Sequence, residues 1–332
     1  MIRWFLAVVV GLVLAGCDVA TGVDDTAVPL RVPPTFDPPP ESAFNRLTPE
    51  KVNLGERLFF DPLLSRDRTV SCASCHEPDH AFADPRAQSV GVEGRVGERN
   101  SPSLVNVVYE TGLFWDAASP SLEAQAFGPL ENPDEMDIRL DTLLARLAND
   151  ASYRMDFEVA FGEGPTPQNF AQALAAYQRT IVSGGSRYDD WLMGQKTALT
   201  EAEQRGLALL EGKAGCVDCH SGPRLTNGNL AHNGLALVGA DSGRARITAD
   251  PADFGRFKVP SLRNVTRTAP YMHDGRFVTL DQVLDHYDAG GTGARNQDPR
   301  IQPLRLTAQE KADLLAFLNT LTDETIHAGV PH

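Results

Sequence analysis

Apolar residues recur three and four positions apart along most of this chain, and the strict alternation of a half-buried strand is scarce. A helix is expected to open at Thr48, with Thr48 as cap and Pro49 at the first helical position. It runs through Leu54, Leu58 and Phe59. A similar helix is expected after Thr200, where Thr200 and Glu203 form a capping box ahead of Leu207 and Leu210. The stretches Gly55-Glu56-Arg57-Leu58-Phe59 and Gly206-Leu207-Ala208-Leu209-Leu210 read as counterparts. Helical spacing also runs through residues 140–147 and 170–181, with Gly184-Gly185 breaking the second. Near the end, Thr307 and Glu310 suggest another capping box before Leu314, Leu315, Phe317, Leu318 and Leu321. Residues 227–253, rich in Gly and Asp, read as a long loop. The pattern predicts an all-α fold with long loops.

The first residues break this pattern. Arg3 precedes an apolar run over residues 4–14 and then Leu14-Ala15-Gly16-Cys17. The run is too short and too near the terminus for an ordinary spanning helix. Residues 1–17 read as a lipoprotein signal peptide with a bacterial lipobox, lipidated at Cys17; the plainer alternative is a signal peptide with an incidental Cys. The expected location is periplasmic, with membrane contact only through the lipid on Cys17. Residues 18–43, with Pro33-Pro34 and Pro38-Pro39-Pro40, read as an extended, poorly packed tether. The rest of the chain is long enough for two domains. The net charge of −14 argues against nucleic acid and is compatible with a basic protein partner.

The chain has five cysteines. Cys17 is one; the other four lie in Cys72-Ala73-Ser74-Cys75-His76 and Cys216-Val217-Asp218-Cys219-His220. Each motif is C-x-x-C-H, the attachment pattern of c-type haem. Two thiols one helical turn apart can both reach vinyl groups on one edge of a porphyrin, and the next residue can turn its imidazole onto the iron. The alternative is a four-thiolate zinc site with two stray histidines. An exported chain with the pattern doubled points to two covalently bound c-type haems. Each motif comes directly after one of the counterpart helices. We therefore expect two cytochrome c-like haem domains, over residues 44–195 and 196–326, related by an old duplication.

Several blocks together resemble the bacterial di-haem cytochrome c peroxidase and MauG family. They are Gly55-Glu56-Arg57-Leu58-Phe59-Phe60-Asp61-Pro62, Arg99-Asn100-Ser101-Pro102-Ser103, Phe114-Trp115-Asp116, Gln125-Ala126-Phe127-Gly128-Pro129, Glu135-Met136, and Leu262-Arg263-Asn264-Val265 through Thr268-Ala269-Pro270-Tyr271-Met272-His273-Asp274-Gly275. The resemblance implies a peroxide-reacting haem in the N-terminal domain and an electron-transfer haem in the C-terminal one. It implies that Glu135 is the distal acid/base, that Gln125 and Pro129 line the same pocket, and that Trp115 lies between the haems. It places Asn100, Thr268 and Pro270 around an inter-haem calcium ion, the last two through backbone carbonyls. A carboxylate in a haem pocket can move a proton from one peroxide oxygen to the other. Taken alone, Glu135 would read as a solvated acid in the run 131–137, and Trp115 as core.

Two positions depart from the peroxidase pattern. The loop 77–100 carries only His80 and places Val92 where a removable His ligand would stand, so the first haem is expected to be open to peroxide. At the second haem, the position of the usual distal Met aligns with Tyr287, the choice that MauG makes. Phenolate favours high iron oxidation states and Met favours ferrous iron. Met272 and His286 compete with Tyr287 for this place. The expected function is a di-haem peroxidase that reduces hydrogen peroxide with electrons from a small cytochrome c or copper-protein donor. The alternatives are a MauG-like enzyme oxidising a residue of a partner protein, and a non-catalytic electron-transfer cytochrome.

Overall fold

The computed structural model describes residues 28–40, 42–236 and 241–330. The expected signal peptide, with Cys17, and the start of the tether lie outside them. The described chain runs through α1 (Pro49–Phe60), α2 (Leu122–Gln125), α3 (Phe127–Glu131), α4 (Leu140–Asn149), α5 (Ala151–Phe161) and α6 (Pro167–Arg179). It continues through α7 (Arg187–Leu192), α8 (Glu201–Glu211), α9 (Ala245–Thr248), α10 (Leu280–Asp288) and α11 (Ala308–Asn319). Among the described residues the sheet content is one antiparallel pair, β1 (Leu230–Ala231) and β2 (Phe257–Lys258). The fold is mostly helical with long loops, and no described helix is long and apolar enough to cross a membrane.

The caps fall where the side chains can supply them. Thr48 accepts from Lys51 N with Pro49 at the helix start, and Thr200 with Glu203 and Thr307 with Glu310 form capping boxes. α6 stops sooner than its apolar pattern. It ends at Arg179, where Thr180 donates to the Tyr177 carbonyl at 2.6 Å. Gly184-Gly185 lie beyond this end, in the link between the halves.

Two cores repeat one design. In the first, α1 crosses α6 and buries Leu58, Phe59, Phe170 and Tyr177. In the second, α8 crosses α11 and buries Leu210, Leu314 and Phe317. A glycine permits each crossing. A Cβ on Gly55 would stand 1.9 Å from the Ala173 carbonyl oxygen, and one on Gly206 would stand 2.0 Å from that of Asp313. Tyr177 and Phe317 take the same place beside these glycines. The counterpart stretches are thus one helix crossing built twice. Gly206→Val should lower stability by about 3 kcal/mol, because the blocking atom is backbone and cannot turn aside. Gly164→Ala, where the added carbon meets nothing within 4 Å, should stay within about 0.5 kcal/mol. Denaturant midpoints of the two variants check this.

Tyr188 and Trp191 of α7 pack in the second core, ahead of the division expected at 195/196. A hub ties the chain at residues 183–185. The buried Asp323 carboxylate accepts from Ser183 Oγ at 2.9 Å and from the amides of Gly184 and Gly185 at 3.0 and 2.9 Å. Asn106 exchanges two hydrogen bonds with the Ser183 backbone, at 2.9 and 3.0 Å, and Asn264 donates to Ser183 Oγ at 2.9 Å. These asparagines have left-handed φ of 62° and 58°. They are equivalent positions of a second repeat, Pro102-Ser103-Leu104-Val105-Asn106-Val107 and Pro260-Ser261-Leu262-Arg263-Asn264-Val265.

The described part of the tether is extended but not poorly packed. Val28 N donates to Leu47 O at 3.0 Å, and Pro33 lies on Gly184. Phe36 is buried edge-on to Tyr109 at 5.5 Å and under the Arg263 guanidinium at 4.6 Å. Arg263 is itself paired with Asp189 at 2.7 Å, both side chains 1% exposed, and Thr35 donates to Asp189 at 3.1 Å. Phe36 and Val28 are the apolar anchors that a Pro-rich composition hid. The tail does the converse. His327 pairs with Val182, and Ile326 and Val330 pack on the first core.

Candidate functional site

Each C-x-x-C-H motif folds as one 3-10 turn, Cys72–Ser74 and Cys216–Asp218, closed by the His amide on the first Cys carbonyl at 3.0 and 2.8 Å. The four thiols are free. Burial pushes the Cys72 thiol up to about 12 and those of Cys75 and Cys216 up to about 11. Cys72 packs on the first core and Cys216 on the second, so the four sulfurs do not form one zinc site. Among the described residues no three His, Cys, Asp or Glu side chains gather to hold a metal.

The two histidines are set alike. His76 Nδ1–H donates to the Phe82 carbonyl at 3.0 Å and His220 Nδ1–H to that of Leu225 at 3.2 Å. Each Nε2 is left for iron, and the second bond fixes the tautomer. Burial lowers the pKa of His76 and takes that of His220 down to about 4, favouring the neutral, ligating form. Free paired thiols, neutral imidazoles and a cavity beside them suit covalent haem. That cavity, of about 840 Å³, is continuous from His76 to His220. Gln125, Pro129, Glu135, Trp115, Asn100, Thr268, Pro270, Met272 and Tyr287 all line it.

Gln125 comes from α2, Pro129 from α3, and Glu135 from the turn after α3. Burial raises the pKa of Glu135 foremost; the Asn132 hydrogen bond opposes this and Asp134 adds to it. Asn132 Nδ2 donates to Glu135 Oε1 at 2.7 Å, which leaves Oε2 for chemistry. The turn is clamped from behind. Val92 N donates to Glu135 O at 2.8 Å, and Gly91 passes so close that a Cβ would lie 2.2 Å from Asp134 O. The Val92 side chain is fully buried in the first core. His80 lies at the surface beside Glu77, at 3.2 Å, and is not in the cavity wall.

Between the halves, Trp115 Nε1 donates to Asn100 O at 2.8 Å, and Lys258 N of β2 donates to Trp115 O at 2.7 Å. Asn100 N donates to His273 O at 2.9 Å. Its side-chain amide donates to the carbonyls of Asp84 and Arg86 at 3.1 and 2.8 Å, which leaves Oδ1 to accept. Thr268 and Pro270 line the same cavity.

At the second motif, α10 brings Tyr287, half-buried, to the cavity wall that Cys216, Cys219 and His220 also line. Burial pushes its phenol up to about 12; the Asn233 side chain opposes the shift, and the Cys216 and Cys219 sulfurs add to it. Met272 is close by, its Sδ accepting from Asn233 Nδ2 at 3.3 Å. His286 is turned to the Asn233 carbonyl through Nε2 at 2.9 Å and is absent from the cavity wall. Asn132 and Asn233 are cavity-wall residues that sequence reasoning misses. Asn132 had a signal, the turn dipeptide Asn132-Pro133 before Glu135. Asn233 had none, in a loop without periodicity.

A family model described as "Di-haem cytochrome c peroxidase" matches residues 49–197. The methylamine utilization protein MauG of Methylorubrum extorquens is 40% identical, over 88% of this chain and 84% of its own length. The cytochrome-c peroxidase IdrP1 of Denitromonas iodatirespirans is 37% identical, over 95% of this chain and 94% of its own. Among solved structures, a MauG-like protein associated with microbial copper homeostasis superposes with a TM-score of 0.83 at 39% identity, over 88% of this chain and 95% of that one.

Proposed function

Because the chain belongs to the family of di-haem cytochrome c peroxidases and MauG, we propose that it is a di-haem c-type peroxidase, reducing hydrogen peroxide with electrons from a protein donor. The observation that carries this reading is the single cavity joining His76, Glu135, Trp115 and His220. Cys72, Cys75 and His76 would hold one haem in a cytochrome c-like domain, and Cys216, Cys219 and His220 the other. When bound, the haems supply reductive cleavage of the O–O bond and one-electron transfer.

The chain's own residues prepare that chemistry. Asn132 holds one oxygen of Glu135, and the other takes a proton from one peroxide oxygen and returns it to the second. Gln125 and Pro129 wall this pocket. Trp115 bridges the two sites, its indole fixed by Asn100 and its carbonyl by β2. Asn100, Thr268 and Pro270 would hold calcium at the seam, and Tyr287 would be the distal ligand of the second iron. A non-catalytic cytochrome has no use for an acid held at Glu135 in the cavity wall. The donor would be a small cytochrome c or copper protein, met in the periplasm by a chain anchored through a lipid on Cys17.

A second reading, MauG-like oxidation of a residue on a partner protein, is favoured by Val92 in place of a removable ligand and by Tyr287 in the cavity wall at the second motif. The likeness to MauG supports it. The test of the open first site is the resting ferric protein. One haem should be high-spin, bind cyanide and react with peroxide without prior reduction. Two low-spin irons, silent towards peroxide until an electron is added, would overturn it.

A further inference from the structure

We propose that Asn233 selects the axial ligand of the second iron, keeping Tyr287 on it and Met272 off it. The proposal rests on the reading that Tyr287 ligates that iron. Asn233 comes just after β1 and lines the cavity. Its Oδ1 accepts from Leu235 N at 3.4 Å, which orients the amide nitrogen the other way. That nitrogen reaches Met272 Sδ at 3.3 Å, while Tyr287 lines the same cavity.

A thioether sulfur is a weak acceptor, and the lone pairs it offers to an N–H are those it would offer to iron. The amide thus occupies the Met272 sulfur and leaves the place on the metal to Tyr287. The Asn233 carbonyl accepts from His286 Nε2 at 2.9 Å. Two of the three candidate ligands, Met272 and His286, therefore meet one residue. Its loop is pinned to the segment after α10, since Thr292 N and Oγ1 donate to Gly234 O at 2.9 and 2.7 Å. The donor is held in fixed register with the helix that carries Tyr287.

The experiment uses the full, haem-loaded chain with Asn233→Leu and Asn233→Asp, read by near-infrared magnetic circular dichroism and by the midpoint potential of the second haem. Leucine removes the donor; aspartate removes it while keeping the shape, so it carries the test if leucine impairs haem loading. In either variant a thioether signature should replace most of the phenolate signature, and the potential should rise, because a thioether favours ferrous iron. Adding Met272→Leu to either variant should abolish the thioether signature. An unchanged ligand signature and potential in both single variants would overturn the proposal. If Tyr287→Phe leaves the wild-type spectrum of the second haem unchanged, the underlying assignment of Tyr287 fails instead.

Discussion

Replacing Glu135 by glutamine is expected to leave both haems attached and to lower peroxide turnover by about two to four orders of magnitude, the usual worth of general acid–base catalysis. Attachment survives because neither C-x-x-C-H turn depends on the carboxylate. Glutamine keeps the size and can still accept from Asn132, so the turn clamped by Val92 and Gly91 is undisturbed. Only the movable proton is lost. The native enzyme should also show a pH signature. Burial raises the Glu135 pKa, and the base form is the one that takes the first proton. The rate of the peroxide reaction should therefore climb with pH through a value above the ordinary carboxylate range of about 4. That rise should vanish in Glu135→Gln. Near wild-type turnover in the variant would place the acid elsewhere.

Tyr287→Phe is expected to open the second iron to added ligands, while Met272→Leu is expected to change its spectrum little. The phenol lines the same cavity as Cys216 and Cys219, and phenylalanine fills its place without an oxygen to bind. Asn233 still holds the Met272 sulfur in that variant, so the thioether does not simply take over. Ligand binding and the spin state of the ferric protein read the result. The reverse pattern, in which Met272→Leu makes the second iron high-spin and Tyr287→Phe does nothing, would make an orthodox cytochrome c peroxidase the better description.

Helices are legible because their signals are local. Thr48, Thr200 and Thr307 announce their caps within three residues, and the C-x-x-C-H turns are read within five. The duplication is half legible. Gly55 and Gly206 betray the repeated helix crossing, but the repeat ending in Asn106 and Asn264 is hidden, because its task is to meet Ser183 from two distant places at once. The end of α6 at Thr180 is hidden for a related reason. Apolar spacing continues to Ile181, but those last residues serve the seam and not the helix. The docking of Phe36 is illegible, since one aromatic among prolines gains its partner, Arg263, only in the fold. The Asn132–Glu135 and Asn233–Met272 bonds are side-chain geometry inside irregular turns, where spacing carries no period to read.

Crossed ends have a mechanical consequence. Interfaces between domains of one chain usually permit relative motion. Here the leading segment closes over the second half at Arg263 and Asp189, and the tail closes over the first at Val182. The seam between them is tied through Asp323, Asn106 and Asn264. A hinge motion of the halves has to break these contacts, and the cavity wall draws residues from both halves. Domain closure is therefore costly in a protein so laced, while an adjustment at the scale of one side chain exchanging partners is not.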